Sequence, residues 1–472
     1  MPPNVLLVVL DSVRARNTSL HDPTLTTTPA LSTLAEEATT YRNARAPSSW
    51  SLPSHASLFT GRHAHEHGVY STRDRLPSGH TIFESLAEDG YETGVFSGNP
   101  FLVTTNNGLK DAFDHVGSPK PLRFPDALDP RAFVFDEGTG QYADYLRACL
   151  DHDRPLHSLC NGLELKLRSD LPDLPGLGGP DVVHAPTIVD DFLQWEAATD
   201  EPWAACMNLM DAHAPYRPET LVEGDETLVG LEGRIEDYIW DFYAGDHPWW
   251  LLRAMEPLYN DAIRDADAAV GHLVETLRAR GVLDDTLLVV TSDHGEAFGE
   301  PSETARRHRV AGHGRYAIEE LLHVPLVVRD PGQTTARVVP DLAPLTGFPD
   351  AVEAVRAGER SSFAADGPVP ASVEWHDTHL LDADRREAMA LEELTAGARV
   401  VYEHDGEGVV KTVRRGDRTA TLRVPSALEK YHDERVTPAA LDHFDAGRPL
   451  AAARDDDYDD ATMEHLRDLG YA

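Results

Sequence analysis

Short, continuous apolar runs alternate along this chain with longer stretches whose apolar positions return every three or four residues. The first pattern marks strands buried on both faces, the second helices laid across them. Residues 4–10 form the first run, which stops at Asp11-Ser12. Thr28-Pro29 then opens a helix with a cap and a first-turn proline, and Leu31, Leu34, Ala35 and Ala38 share one face. Residues 41–46 read as extended and deliver the chain to residues 47–61, a loop that turns into a short helix. Pro53 lies in its first turn and Gly61 is its stop. A helix over 81–89, a strand over 92–97 and apolar strands over 203–210 and 286–291 continue the alternation. So do a long helix over 257–280 and a return to the sheet at 324–328.

This rhythm predicts an α/β fold, a large mostly parallel sheet sandwiched by helices. Two regions depart from it. Residues 118–182 are rich in Pro and Leu without a clear period, so short helices such as 140–150 are the most the pattern supports. We read this region as an elaboration, or lid, over the face that carries the strand ends. Beyond about residue 365, β-rich runs at 399–403, 408–414 and 420–424, separated by Asp/Gly turns, predict an antiparallel meander. An acidic run at 455–460 and an amphipathic helix at 463–469 follow. The expected organisation is a main domain over 1–360 and a small C-terminal α+β subdomain over 365–472.

Composition narrows the class. With 41% hydrophobic and 26% charged residues over 472 positions, the chain is globular and buries a sizeable core. Its apolar runs are strand-sized, and the first lacks a basic leader or cleavage site, which predicts a cytoplasmic protein without a membrane span. Lys and Arg number 42 against 80 Asp and Glu, a net charge of −38, which excludes nucleic acid as a partner. The acidic residues are dispersed and Lys is scarce, as in proteins of extreme halophiles, where salt screens the self-repulsion. Cys149, Cys160 and Cys206 have no metal-ligand spacing and read as reduced thiols.

Candidate chemistry gathers at the ends of the predicted strands, where open α/β sheets bind ligands. Asp11 ends the first run, Asp211-Ala-His213 follows the 203–210 run, and Ser292-Asp293-His294-Gly295-Glu296 follows the 286–291 run. Asp11, Asp293 and His294 form a mixed oxygen and nitrogen set suited to one divalent cation, Ca²⁺, Mg²⁺, Mn²⁺ or Zn²⁺. Ser51, at or just before a helix N-terminus, is a nucleophile candidate and a further ligand for that cation. A serine cap is the simpler reading of Ser51 alone. His313, in Gly312-His313-Gly314, joins the same edge. The cluster His63, His65 and His67 reads as loop histidines rather than a metal site.

Taken in order, these pieces resemble the sulfatase branch of the alkaline phosphatase superfamily, here of a haloarchaeal type. The resemblance is carried by residues 4–11, the Thr28-Pro29 helix, residues 51–61, Asp211-Ala-His213-Ala-Pro215, residues 291–296, Gly312-His313-Gly314 and residues 322–326. It implies an alkaline phosphatase-like fold, a sulfatase-like catalytic domain over 1–360, metal ligation by Asp11, Asp293, His294 and Ser51, and catalytic positions at Ser51, His55, His213 and His313. The implied substrate is a small-molecule or glycan sulfate or phosphate ester. Three departures bear on the reaction. The family signature Cys/Ser-x-Pro-x-Arg, whose first residue is oxidised to formylglycine, reads Ser51-Leu-Pro53-Ser-His55 here. Ser12 stands where a second N-terminal metal Asp is usual. The Lys-x-His segment that grips sulfate is replaced by Ser97-Gly98-Asn99-Pro100. The leading expectation is a metal-dependent sulfate-ester hydrolase using the Ser51 position. The alternatives are a phosphodiesterase, phosphonate esterase or phosphoglycerol-type transferase with unmodified Ser51, and a non-catalytic relative.

Overall fold

A computed structural model describes residues 2–117, 142–170, 183–199, 202–235, 238–305, 307–374, 396–433 and 449–453, with single positions between them. Eight strands form the main sheet: β1 (Asn4–Leu10), β2 (Thr39–Arg45), β3 (Glu92–Ser97), β4 (His115–Gly117), β5 (Trp203–Leu209), β6 (Thr286–Thr291), β7 (Leu326–Arg329) and β8 (Arg337–Pro344). Their order is β8-β2-β7-β6-β1-β5-β3-β4. Only β7 runs antiparallel to its neighbours β2 and β6, so the sheet is mostly parallel. β1 shows why these runs are strands. Val5, Leu7 and Val9 enter the core on one face, and Leu6, Val8 and Leu10 enter the core on the other. Each such side chain contributes roughly 1.5–3 kcal/mol by leaving water.

Helices α1 (Pro29–Leu34), α2 (Ser51–Thr60), α3 (Ala185–Glu196) and α4 (Glu256–Arg280) cover the two faces. Buried residues of α2 join the core with Val5 and Leu7, and those of α3 and α4 join the core with Leu6 and Val8. The α4 stripe of Ile263, Ala266, Val270, Leu273 and Leu277 is buried as its spacing predicts, and Gly281 ends the helix at φ 73°.

The second sheet comprises β9 (Val369–Val373), β10 (Ala398–His404), β11 (Val409–Arg415), β12 (Arg418–Ser426) and β13 (Glu429–His432), antiparallel in sequence order. It is the meander read from the Asp/Gly turns, with two strands more, β9 and β13. Its inner residues Ala371, Val400, Tyr402 and Val413 share the core that holds Val5 and Leu7. Much of 118–182 lies outside the described residues, as do 455–460 and 463–469. Within the former, helices span Tyr142–Asp151 and Pro155–Asp170, the second longer than the sequence suggested. Leu156 and Leu163 are 74% and 59% exposed, so no inward stripe announced it.

Candidate active site

β1, β5 and β6 end side by side, because Val9 pairs with both Asn208 and Thr291. Asp11 and Asp293, each two residues beyond these pairs, therefore meet at one edge. Helix α2 points its N-terminus at them. Its cap residue is Trp50, and no side chain caps it, so the simpler reading of Ser51 fails. Ser51 is the first helical residue, and its hydroxyl turns to the cluster instead. Oγ donates to Asp11 Oδ2 at 3.3 Å and lies 3.3 Å from His294 Nε2. An α-helix leaves its first N–H groups without intrahelical acceptors, so negative charge is favoured beside Ser51.

Asp11, Asp293 and His294 are fully buried and offer one ligand atom each, all within 4.8 Å of one another. Among the described residues they form the one cluster of this kind. Their surroundings fit a cation. His294 Nδ1 donates to the Gly295 carbonyl at 2.8 Å, which assigns the ring proton there and leaves the Nε2 lone pair facing the carboxylates. Asp293 Oδ2 is buried with no hydrogen-bond partner, 3.5 Å from His294 Nε2 and 3.6 Å from His55 Nδ1. The two carboxyls split in opposite directions. Burial raises Asp293, and repulsion from Asp11 adds to it. At Asp11 burial also acts upward, but His213, His294 and the Asn208 amide outweigh it and hold the group ionised. Two carboxylates in one dry site call for a cation between them. Ser12 makes the turn possible with φ 63°, the one positive φ outside glycine among the described residues. Its Oγ donates to Asp11 Oδ1 at 2.9 Å and its N–H to Asp293 Oδ1 at 3.3 Å.

Two further histidines face this centre. The His313 ring lies 4.5 Å from the His294 ring and 5.0 Å from the His213 ring. His313 Nδ1 is 3.2 Å from Glu296 Oε2, and His213 Nδ1 donates to the Ala214 carbonyl at 2.6 Å. Burial, then His294 and His213, push His313 well below the ordinary imidazole range, so the ring is neutral. Burial pushes Glu296 up to about 7. His55 sits behind Ser51. Its Nδ1 donates to the Ser51 carbonyl at 2.9 Å, and Nε2 faces the Asn208 amide at 3.4 Å. The 63–67 cluster is not at this site. It forms a short helix, Ala64–His67, and His67 is fully buried between Ser57 Oγ (2.9 Å) and the Val69 N–H (3.0 Å).

A sulfatase family model matches residues 3–352 of this chain. The chain belongs to the sulfatase family. It is 24% identical over 363 residues to an ulvan-active sulfatase of Formosa agariphila, covering 73% of this chain and 59% of that protein. It is 26% identical over 311 residues to arylsulfatase A of Bos taurus, covering 62% and 52% respectively. The match thus spans between about half and three-fifths of these relatives' length. Among solved structures, the phosphonate monoester hydrolase of Agrobacterium radiobacter shares the fold, with a TM-score of 0.57, 18% identity and 89% of each chain covered.

Measured against other sulfatases, the departures acquire a physical setting. Where the signature Arg would bring a cation, His55 is spent on a helix carbonyl and an amide. Where Lys-x-His would stand, Asn99 caps its own turn by accepting the Phe101 N–H at 3.0 Å and donates to Asp11 Oδ2 at 3.2 Å. Asn208 donates to the same oxygen at 3.0 Å. The sequence marks Asn99 only as part of the segment 97–100 and assigns no role to Asn208 or to the Glu296 contact. Asn208 carried a signal, as a polar residue inside the apolar run 203–209; Glu296 carried one only by following Asp293-His294.

Proposed function

We propose that this sulfatase-family chain is a metal-dependent hydrolase of sulfate or phosphate esters that uses Ser51 as its nucleophile. The observation that carries the reading is Ser51 Oγ, 3.3 Å from both Asp11 Oδ2 and His294 Nε2 at a helix N-terminus. Asp11, Asp293 and His294 would hold one divalent cation, Ca²⁺, Mg²⁺, Mn²⁺ or Zn²⁺, which supplies charge neutralisation and a lowered hydroxyl pKa. Ser51 attacks sulfur or phosphorus in line, opposite the ester oxygen that leaves. With its pKa lowered in this way, the Ser51 hydroxyl would lose its proton to water before the attack. His313, anchored at Nδ1 by Glu296, presents its Nε2–H to the leaving oxygen and gives it that proton as the Glu296 carboxyl, which burial raises to about 7, passes its own proton to Nδ1, so the ring stays neutral throughout. His213 bounds the other side of the bound ester. Water then cleaves the ester on Ser51, or an alcohol takes the group if the enzyme is a transferase. His55 contributes by fixing the first turn of α2.

The ester class turns on the state of Ser51. A formylglycine hydrate has a second hydroxyl that can expel a sulfate ester without attack at sulfur. Unmodified Ser must wait for hydrolysis of its own ester, a route that suits phosphoryl groups better. With His55 in place of Arg, the second reading is a phosphodiester or phosphonate esterase with unmodified Ser51. Mass spectrometry of the Ser51 peptide, from protein made in its own host, decides between them. We expect an unmodified mass and turnover of aryl phosphodiesters at least equal to aryl sulfates. A loss of two hydrogens at Ser51 together with preference for aryl sulfates would falsify the second reading and leave the first. The ulvan-active relative supports a glycan ester among the candidate substrates. The acidic excess supports a salt-rich, haloarchaeal setting, and three free cysteines support the reducing cytoplasm.

A further inference from the structure

Strand β11 carries a basic residue where alternation calls for an apolar one, and does so twice. Residues 409, 411, 413 and 415 share one face of β11 by the strand period. Val409 and Val413 lie in the core, while Lys411 and Arg415 are 0% and 5% exposed. Removing such cations from water costs several kcal/mol each before partners are counted. Their main-chain partners, the Arg315 and Ala317 carbonyls, lie on the loop that bears His313. Lys411 Nζ donates to the Ala317 carbonyl at 2.7 Å and pairs with Glu303 at 2.7 Å and Glu319 at 3.4 Å. Arg415 donates to the Arg315 carbonyl at 2.5 Å, and its guanidinium lies 4.0 Å over the Tyr316 ring. Glu303 also accepts the Glu319 N–H at 2.9 Å, which closes the far end of the loop. From the opposite side, the Gly314 N–H donates to the Ser49 carbonyl at 2.7 Å, two residues before Ser51.

We infer that Lys411 and Arg415 are positioning residues for His313, so that the C-terminal sheet sets where that imidazole stands relative to Ser51. The inference rests on the proton-donor role proposed above for His313. A well-packed apolar pair would join the two sheets as firmly, since replacing buried ion pairs by apolar residues is often neutral or stabilising. What an apolar pair lacks is direction. Two cations aimed at the carbonyls of residues 315 and 317 fix the path of the backbone on the C-terminal side of His313. A misplacement of about 1 Å in such a group costs on the order of a hundredfold in rate.

The test compares Arg415→Met, Arg415→Lys, Lys411→Met and His313→Ala on aryl sulfates and aryl methyl phosphates whose leaving phenols rise in pKa from p-nitrophenol to phenol. A displaced proton donor harms poor leaving groups and spares good ones. For Arg415→Met we expect kcat to fall about tenfold or more with phenol and under about threefold with p-nitrophenol, at unchanged KM. Arg415→Lys keeps a donor but loses the planar stack on Tyr316, and falls between. It also serves where Arg415→Met does not fold. The double variant His313→Ala/Arg415→Met loses nothing beyond His313→Ala. Equal losses on all leaving groups, or additive losses in the double variant, overturn the inference. If His313→Ala itself leaves the leaving-group dependence unchanged, the proton-donor reading fails, and the inference with it. If His313→Ala steepens the dependence and neither Arg415 variant nor Lys411→Met does, the inference alone is overturned.

Discussion

Ser51 and His67 lie sixteen positions apart, and each was legible as a chemistry-bearing residue for a different wrong or right reason. Ser51 read as a cap or a nucleophile; Trp50 took the cap position and left the hydroxyl to Asp11 and His294. His67 read as a loop histidine, yet it is fully buried with the Val69 N–H donating to its Nδ1. That donor assigns the ring proton to Nε2 and leaves no room for a second. Burial accordingly pushes its pKa down to about 3 from an ordinary 6.5. The unfolded chain binds this proton near pH 6.5 and the folded chain only near 3. The stability from the neutral ring is therefore complete above pH 6.5 and lost as pH falls toward 3, by up to about 5 kcal/mol. His67→Gln, which cannot titrate, should lose less stability than the parent between pH 6.5 and 4, by urea unfolding. Parallel pH profiles for the two proteins would remove this account.

At the scale of elements, the turn after β6 shows how tightly strand ends are joined to their surroundings. Gly295 stands between His294 and Glu296, and its N–H donates to the Leu321 carbonyl at 2.9 Å. A Cβ there would lie 2.0 Å from the Glu320 carbonyl oxygen and 2.9 Å from Arg14 Cγ. Glycine is required by close approach of backbone, not by a left-handed φ. Gly295→Ala should push the turn off the 319–322 segment at a cost of about 1–3 kcal/mol, as overpacking does. Because His294 moves with the turn, we also expect the divalent-metal content of the purified protein to fall. Elemental analysis beside a thermal melt checks both; a variant that melts earlier but keeps full metal would separate the turn from the ligand. The second sheet is tied in the same manner, by β11 side chains that reach main-chain carbonyls of the His313 loop.

Over the whole molecule the excess of 80 acidic over 42 basic residues has to coexist with a compact fold. Many acids are matched locally. Arg14 is buried between Glu256 and Glu300, and Lys411 and Lys430 lie among Glu303, Glu319 and Glu320. Matching of this kind is short-range, so it does little against the long-range repulsion of a −38 net charge. Salt at about 1 M shortens the screening length to roughly 3 Å and silences that repulsion. We expect the melting temperature to rise steeply as KCl goes from dilute buffer to molar levels. A melting curve that is flat over this range would argue for an ordinary acidic protein.

By itself the sequence determined the strands and their polar ends. Runs such as 4–10 and 286–291 are apolar on both faces, and only a covered, mostly parallel sheet buries both, so Asp11 and Asp293-His294 had to fall at strand termini. The order of motifs likewise determined the family. The tertiary structure alone decided which strand ends are neighbours. β1 lies between β5 and β6, far from either in the chain, and that adjacency brings Asn208 and Asp293 to Asp11. It also decided the fate of residues whose local pattern is neutral: Asn99 on a turn, His55 on an interior helix face, Lys411 and Arg415 on a sheet. Periodicity reports whether a face is buried, because burial selects for apolar side chains all along an element. It is silent on a single polar residue, whose partner comes from another element and is set only when the two pack.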